Sequence, residues 1–293
     1  MFSLLECVDE RVNIFIMHKD FRNDEKIPEV IKNHKMLKKL VVSQVNLDNF
    51  DFPNINGTHI SEATYYRLFL EDYLNDEIDY VTYLDCDVFC VNNPVDLIKK
   101  TIEAMNVMNA TISVSSEPSL TEHGKNLNMK SNEYFNAGVM VIDYKKWKMN
   151  NLKNKFIEIL LKFNDKLLYW DQDILNIAFD GEYTELHWHL NYKIDMEQNI
   201  LSTEIERKAI NDISLLHFNG KFKPWALRGI VNENAEYFQS VFRKIYNKKY
   251  YLSYNYKINV VKDFLKSLKN KTFFKTLYPI SLFFIMLKSL ISK

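Results

Sequence analysis

Asp85 and Asp87 stand one residue apart in YLDCDVF (Tyr83–Phe89), directly after YVTYL (Tyr80–Leu84), an apolar run of the kind buried in a parallel sheet. Two carboxylates this close repel one another unless a proton or a cation intervenes. A hard divalent ion with oxygen ligands, Mg²⁺ or Mn²⁺, would satisfy them. The position also suits a site, because ligands of open α/β sheets bind outside the carboxyl ends of strands. A solvated turn that carries two acids gives the same pattern, so the pair alone leaves both readings open.

A second stretch, HFNGKFKPW (His217–Trp225), comes after another short strand-like run at Ser214–His217. Its imidazole can complete a metal site, and a nitrogen ligand favours Mn²⁺ over Mg²⁺. Gly220 allows close backbone approach, and Lys221 and Lys223 can hold phosphate oxygens as point charges. A surface turn with a partly buried histidine is the plainer alternative. The third group is FNAGV (Phe135–Val139) and WDQDILN (Trp170–Asn176). Asn136 interrupts an apolar strand, and a buried amide needs partners. Asp171 reads either as a helix N-cap or as a chemical group, and Asp173 suits the helix dipole. Neither structural role accounts for Gln172.

The surrounding pattern is that of an α/β protein. Val12–Met17 and Val41–Val45 read as strands, with helical spacing from Pro28 through PEVIKNHKMLKKL between them. Ser61 can cap a helix over 62–73; a further helix begins after Pro94, then a strand at Thr111–Val114, a polar loop over 115–132 and a strand at Phe135–Ile142. Helical spacing returns at 151–163 and 171–179. The chain has only six glycines and no G-x-G-x-x-G or Walker-type loop, which removes the main support for dinucleotide-binding and P-loop readings.

Composition narrows the class. With 293 residues and 47% apolar content the chain carries a real core. Cys7, Cys86 and Cys90 form neither an even set nor a C-x-x-C pair, which fits reduced thiols in a cytosolic compartment. The first twenty residues lack signal-peptide order. The one long apolar stretch, Leu277–Leu287, is interrupted by Pro279 and is shorter than the roughly 20 residues that span a bilayer. The formal net charge is zero, yet residues 241–293 hold 12 Lys or Arg and a single acid, Asp263. That basic end, interleaved with Tyr246, Tyr250, Tyr251, Tyr254 and Tyr256, suits a helix lying in an anionic membrane interface. A C-terminal helix packed on the rest of the protein is the alternative. No nucleic-acid-binding motif accompanies the charge, so no nucleic acid is expected as partner.

Five segments in order, HISEATYYRLFL (His59–Leu70), YLDCDVF, YFNAGVMVIDYKKW (Tyr134–Trp147), DQDILN and HFNGKFKPW, resemble glycosyltransferase family 8. These are retaining enzymes of GT-A fold that include bacterial lipopolysaccharide galactosyl- and glucosyltransferases and, more distantly, glycogenin. The resemblance covers about Asn13 to Trp225. It implies a Rossmann-like mixed sheet flanked by helices, with Asp85, Asp87 and His217 binding Mn²⁺ across the diphosphate of a UDP-sugar. Gly220 and Lys223 then match diphosphate-contacting positions, and Arg67 an arginine near the donor. Asn136, Asp171 and Gln172 match residues around the transferred sugar, and His59 an acceptor-side position. The implied reaction moves galactose or glucose from UDP-galactose or UDP-glucose to a saccharide acceptor, a lipid-linked lipopolysaccharide or lipooligosaccharide core at the cytoplasmic face of the inner membrane. An amide is a poor nucleophile, which favours front-face substitution through an oxocarbenium-like ion pair.

Family members begin with a strand that cradles uracil and ribose, whereas SLLECVDERVNIFIMH resembles the segment after that strand, and Asp9 and Glu10 do not replace it. The expectation is a GT-A catalytic domain over 1–236 without its first strand, and a basic aromatic membrane-association region over 237–293. Two competing classes are a D-x-D phosphatase or phosphotransferase with Asp85 as nucleophile, and an inactive truncated glycosyltransferase acting as an interaction protein. The first leaves His217 and Lys223 unexplained and places the motif after several strands instead of at the first.

Overall fold

The computed structural model describes residues 1–20, 25–47, 50, 52, 62–131, 133–196, 210–220, 222–253 and 258–291. In chain order the elements are α1 (Phe2–Cys7), β1 (Val12–His18), α2 (Glu29–Lys32), β2 (Leu37–Gln44), a 3₁₀ segment (Glu62–Asp72), β3 (Tyr80–Leu84), β4 (Val88–Cys90), α3 (Val95–Met108), β5 (Ile112–Ser116), α4 (Thr121–Asn126) and β6 (Phe135–Asp143). Next come α5 (Tyr144–Met149), α6 (Leu152–Phe163), α7 (Trp170–Phe179), β7 (Thr184–Glu185), β8 (Tyr192–Asp195), β9 (Leu215–Asn219), α8 (Leu227–Ile230), α9 (Ala235–Tyr246), α10 (Ile258–Lys269) and α11 (Pro279–Ile291). The chain divides into two compact units, one of 9–85 with 94–191, the other of 1–8, 86–93 and 192–293.

In the first unit β1 and β2 pair in parallel, and a four-stranded sheet runs β3-β6-β5-β7. Strand β6 is buried at all nine positions, and its two polar side chains, Asn136 and Asp143, each accept a backbone N–H. Trp147, Phe156 and Phe179 pack beneath it as tilted rings, with Leu152, Ile159 and Leu160 forming the apolar stripe of α6. The 3₁₀ segment buries six consecutive residues, Tyr65 to Leu70, Arg67 among them.

In the second unit β4 is antiparallel to β9, and β8 is parallel to β9 on its other edge. Helix α1 closes on β4, where Ser3 Oγ accepts a hydrogen bond from Cys90 N at 3.2 Å. A separate apolar cluster joins Leu227 and Ile230 of α8 to Tyr250, Leu252, Phe264, Phe273, Leu282 and Met286, so the basic C-terminal region contributes part of a core. Its Leu265, Phe274, Leu277, Ile280 and Phe284 remain exposed. Among the described residues no helix is long and apolar enough to cross a membrane.

Several sequence expectations need correction. YVTYL is a strand, but it lies antiparallel to β6 and is half-buried throughout instead of buried in a parallel sheet. The helical spacing after Pro28 yields one turn only, because Leu37–Gln44 extends to pair with β1 and the strand ladder overrides local propensity. The polar loop over 115–132 contains α4. Ser61 and the acceptor-side candidate His59 lie outside the described residues.

Candidate active site

Arg67 is the hub of the first unit. Its side chain is buried, with Nη2 2.8 Å from Asp85 Oδ1, Nε 2.7 Å from Asp171 Oδ2, and Nη1 donating to the Ala137 carbonyl at 2.5 Å. Tyr83 completes the enclosure: its ring lies under the guanidinium at 4.5 Å, and its hydroxyl donates to Asp85 Oδ1 at 2.7 Å. An arginine stays charged in this setting, and its planar fork can serve several acceptors at once. The contact with Asp171 Oδ2 is an ion pair and not a hydrogen bond, since that buried oxygen has no hydrogen-bond donor among the described residues. Burial pushes the Asp171 carboxyl up to about 7 against the pull of Arg67, with the charge of Asp85 adding to the rise.

The peptide groups of β6 are where the other candidates attach. A register shift between Ser113 and Ser115 of β5 loosens the ladder there. Gln172 Oε1 accepts from Ala137 N at 3.1 Å, and Asp85 N donates to Gly138 O at 2.8 Å. Asn136 Oδ1 accepts from Gly138 N and from Asn191 Nδ2, each at 3.1 Å, so the buried amide that the sequence singled out has its partners. Asp171 is not the N-cap of α7, since that position falls to Tyr169 and Asp171 lies inside the first turn. Asn176 joins α7 to β6 by pairing both polar groups of Phe135, at 2.8 and 3.0 Å.

The second unit assembles the other half of the motif set. Val88 pairs with His217 across β4 and β9, and His217 is buried beside Asp87, its Nε2 3.4 Å from Oδ1. Lys223 Nζ donates to Asp87 Oδ2 at 2.5 Å and to the Phe218 carbonyl at 2.8 Å. Burial pushes the Asp87 carboxyl up, but His217 and Lys223 outweigh it and hold the group well below the usual carboxylate range. Gly220 takes a left-handed backbone at φ +78°, which carries the chain from β9 towards Lys223.

A further glycine, Gly229, matters here and left no signal in the sequence. A Cβ added to it would lie 2.1 Å from the Lys223 carbonyl oxygen, so only glycine lets α8 close on the backbone of Lys223. Tyr83 and Asn191 were likewise silent, because their roles depend on long-range packing.

Asp85 and Asp87 are two residues apart in the chain, and within the second unit His217 lies beside Asp87. Asp87 Oδ1 is buried and has no hydrogen-bond donor among the described residues. A desolvated carboxylate oxygen left so is costly unless a cation takes it. The two carboxylates and the imidazole form a donor set suited to Mn²⁺ or Mg²⁺, so these residues fit a divalent metal.

Residues 2–228 match the model of glycosyl transferase family 8. The chain belongs to that family. Among its relatives, general stress protein A of Bacillus subtilis (strain 168) is 30% identical over 181 residues, 58% of this chain and 62% of the relative. Lipopolysaccharide 1,2-glucosyltransferase of Escherichia coli (strain K12) is 28% identical over 229 residues, 72% of this chain and 63% of the relative. The chain thus spans about three-fifths of the length of these curated relatives. A solved structure of the galactosyltransferase LgtC in complex with donor and acceptor sugar analogs superposes with a TM-score of 0.69 at 23% identity, covering 89% of this chain and 93% of that one. The mixed α/β architecture is therefore the GT-A fold of family 8.

The raised Asp171 carboxyl has a consequence for stability. A group whose folded pKa lies above its unfolded value of about 4 stabilises fully below that pH, and its contribution declines as pH rises to about 7. In metal-free protein, the urea midpoint of the wild type should fall more between pH 5 and pH 8 than that of Asp171→Asn. Parallel profiles would contradict this assignment.

Proposed function

We propose that the protein is a retaining hexosyltransferase that moves galactose or glucose from UDP-galactose or UDP-glucose to a saccharide acceptor, a lipid-linked lipopolysaccharide or lipooligosaccharide core. The observation that carries this reading is the buried Oδ1 of Asp87, without a hydrogen-bond donor among the described residues, with His217 beside it and Lys223 on the other oxygen. Asp85, Asp87 and His217 would hold Mn²⁺, with Mg²⁺ as the alternative. A bound divalent ion supplies Lewis acidity for the charge that develops on the leaving β-phosphate.

The chain's own residues do the rest. Lys223, already held between Asp87 and the Phe218 carbonyl, offers a positive charge to the diphosphate with little reorganisation, and Gly220 leaves room for its approach. Asn136, Asp171 and Gln172 surround the transferred sugar. Asp171 is occupied by Arg67, and the Gln172 carbonyl by Ala137 N, so neither is poised as a nucleophile. That supports front-face substitution, with the acceptor proton passing to the departing phosphate oxygen. Asp85 as a phosphatase nucleophile gains no support, because its Oδ1 is taken by both Arg67 and Tyr83.

Residues 1–236 act in this reading as the catalytic region and 237–293 as a membrane-association region, placing the protein at the cytoplasmic face of the plasma membrane. Exposed Lys262, Lys266, Lys269, Lys271 and Lys275 accompany the exposed Leu265, Phe274, Leu277, Ile280 and Phe284. Each lysine near an anionic surface adds about 1 kcal/mol of attraction.

Two measurements test the proposal. Calorimetric titration of the wild type with UDP and Mn²⁺ should show metal-dependent binding, and UDP-sugar turnover should accompany it with retained anomeric configuration. Asp87→Asn should lose both by about 100-fold or more. Metal-independent phosphate release from phosphomonoesters, or an inverted product, would refute the reading. For the tail, the triple variant Phe274→Ser, Ile280→Ser, Phe284→Ser alters only exposed side chains and should stop sedimenting with phosphatidylglycerol vesicles. Unchanged sedimentation would count against membrane association.

A further inference from the structure

Asp173 is fully buried and uses all of its acceptor capacity. Its Oδ2 accepts from the backbone N–H groups of Leu168 and Tyr169 at 2.7 and 2.9 Å. Its Oδ1 accepts the hydroxyl of Tyr134 and lies 2.9 Å from His123 Nε2. The rings of His123, Tyr134 and Tyr169 close around it with centroids 5.2 to 6.4 Å apart. The two captured N–H groups belong to the residues immediately before Trp170. Folding the chain back over the start of α7 in this way puts Trp170 in a left-handed backbone, φ +52°, which a bulky side chain adopts only under constraint. The next two residues are Asp171 and Gln172.

Tyr134 carries the restraint to the Gln172 side chain. Gln172 Oε1 is taken by Ala137 N at 3.1 Å, while Nε2 reaches the Tyr134 oxygen at 3.5 Å. Since the Tyr134 proton is directed at Asp173, the phenol oxygen can only accept from Gln172. A flipped amide would set its NH₂ against the Ala137 N–H and its oxygen against the phenol lone pairs. Burial and the neighbouring carboxylate push the Tyr134 hydroxyl far above its ordinary range, so it keeps its proton throughout the neutral range.

We propose that Asp173 and Tyr134 are positioning residues that lock the Gln172 amide in one orientation, so that Gln172 meets the transferred sugar as an N–H donor and not through its carbonyl oxygen. This deepens the hexosyltransferase reading and rests on it for the identity of the sugar-facing group. Nε2 carries two hydrogens, and Tyr134 takes one of them. The second is directed to a hydroxyl oxygen of the sugar, which it orients by a hydrogen bond.

The test combines a spectroscopic and a kinetic readout on the full chain. In protein labelled with ¹⁵N at glutamine side chains, the Gln172 NH₂ signal is assigned by its loss in Gln172→Ala. Its solvent exchange should be about ten-fold faster in Tyr134→Phe than in the wild type. With Mn²⁺ and UDP-galactose or UDP-glucose, Tyr134→Phe should lose about ten-fold in kcat with donor KM within about two-fold, and the double variant should be no slower than Gln172→Ala. Unchanged amide exchange in Tyr134→Phe, or a double variant that loses the product of the two single effects, would overturn the inference. If the wild type turns over neither sugar nucleotide, the hexosyltransferase reading fails, and the amide exchange still decides whether Tyr134 holds Gln172.

Discussion

A single buried cation, Arg67, fixes the geometry of the candidate residues in the first unit. It joins Asp85, at the end of β3, to Asp171, in the first turn of α7, and it ties both to the Ala137 carbonyl of β6. A carboxylate as buried as Asp171 would neutralise without a counter-ion, and an arginine as buried as Arg67 cannot. The pair therefore persists only if the three elements meet, which couples the placement of the first aspartate of the motif to the placement of Asp171 and Gln172. Tyr83 adds a donor to Asp85 and an aromatic face to the guanidinium, so the arrangement is enclosed as well as charged.

A comparable economy of partners holds Asp87. Lys223 occupies one of its oxygens, and His217 Nε2 lies 3.4 Å from the other. Gly229 permits this, because any side chain there would collide with the Lys223 peptide group. Only Cys86 separates Asp85 from Asp87, so chain connectivity joins the two sets of contacts.

The candidate site residues were more legible in the sequence than the scaffolding that holds them. Asp85, Asp87, His217 and Lys223 were visible because their residue types and their place after strands have few structural explanations in combination. Asn136 was visible as a polar interruption in an apolar strand, and its partner Asn191 was not, since 55 residues separate the two. Asp171 and Asp173 read alike in sequence as helix-start acids, yet one pairs with Arg67 and the other binds two backbone amides and a tyrosine. Strand positions were legible from β-branched runs such as Val12–Met17, while orientation was not: the same YVTYL pattern serves a parallel or an antiparallel ladder. The segment after Pro28 misled because a long-range ladder with β1 decides its conformation. Gly229 left no trace, because a close approach between backbones has no local pattern.

The most direct test of the account is a double-mutant cycle of Arg67→Met and Asp171→Asn, read by urea unfolding of metal-free protein at pH 8, where the Asp171 carboxyl is ionised. Removing one partner of a buried pair typically costs about 3–5 kcal/mol, because it strands the other charge. If Arg67 is the counter-ion of Asp171, the double variant should be more stable than Arg67→Met alone. A double variant destabilised by the sum of the two single effects would contradict the account.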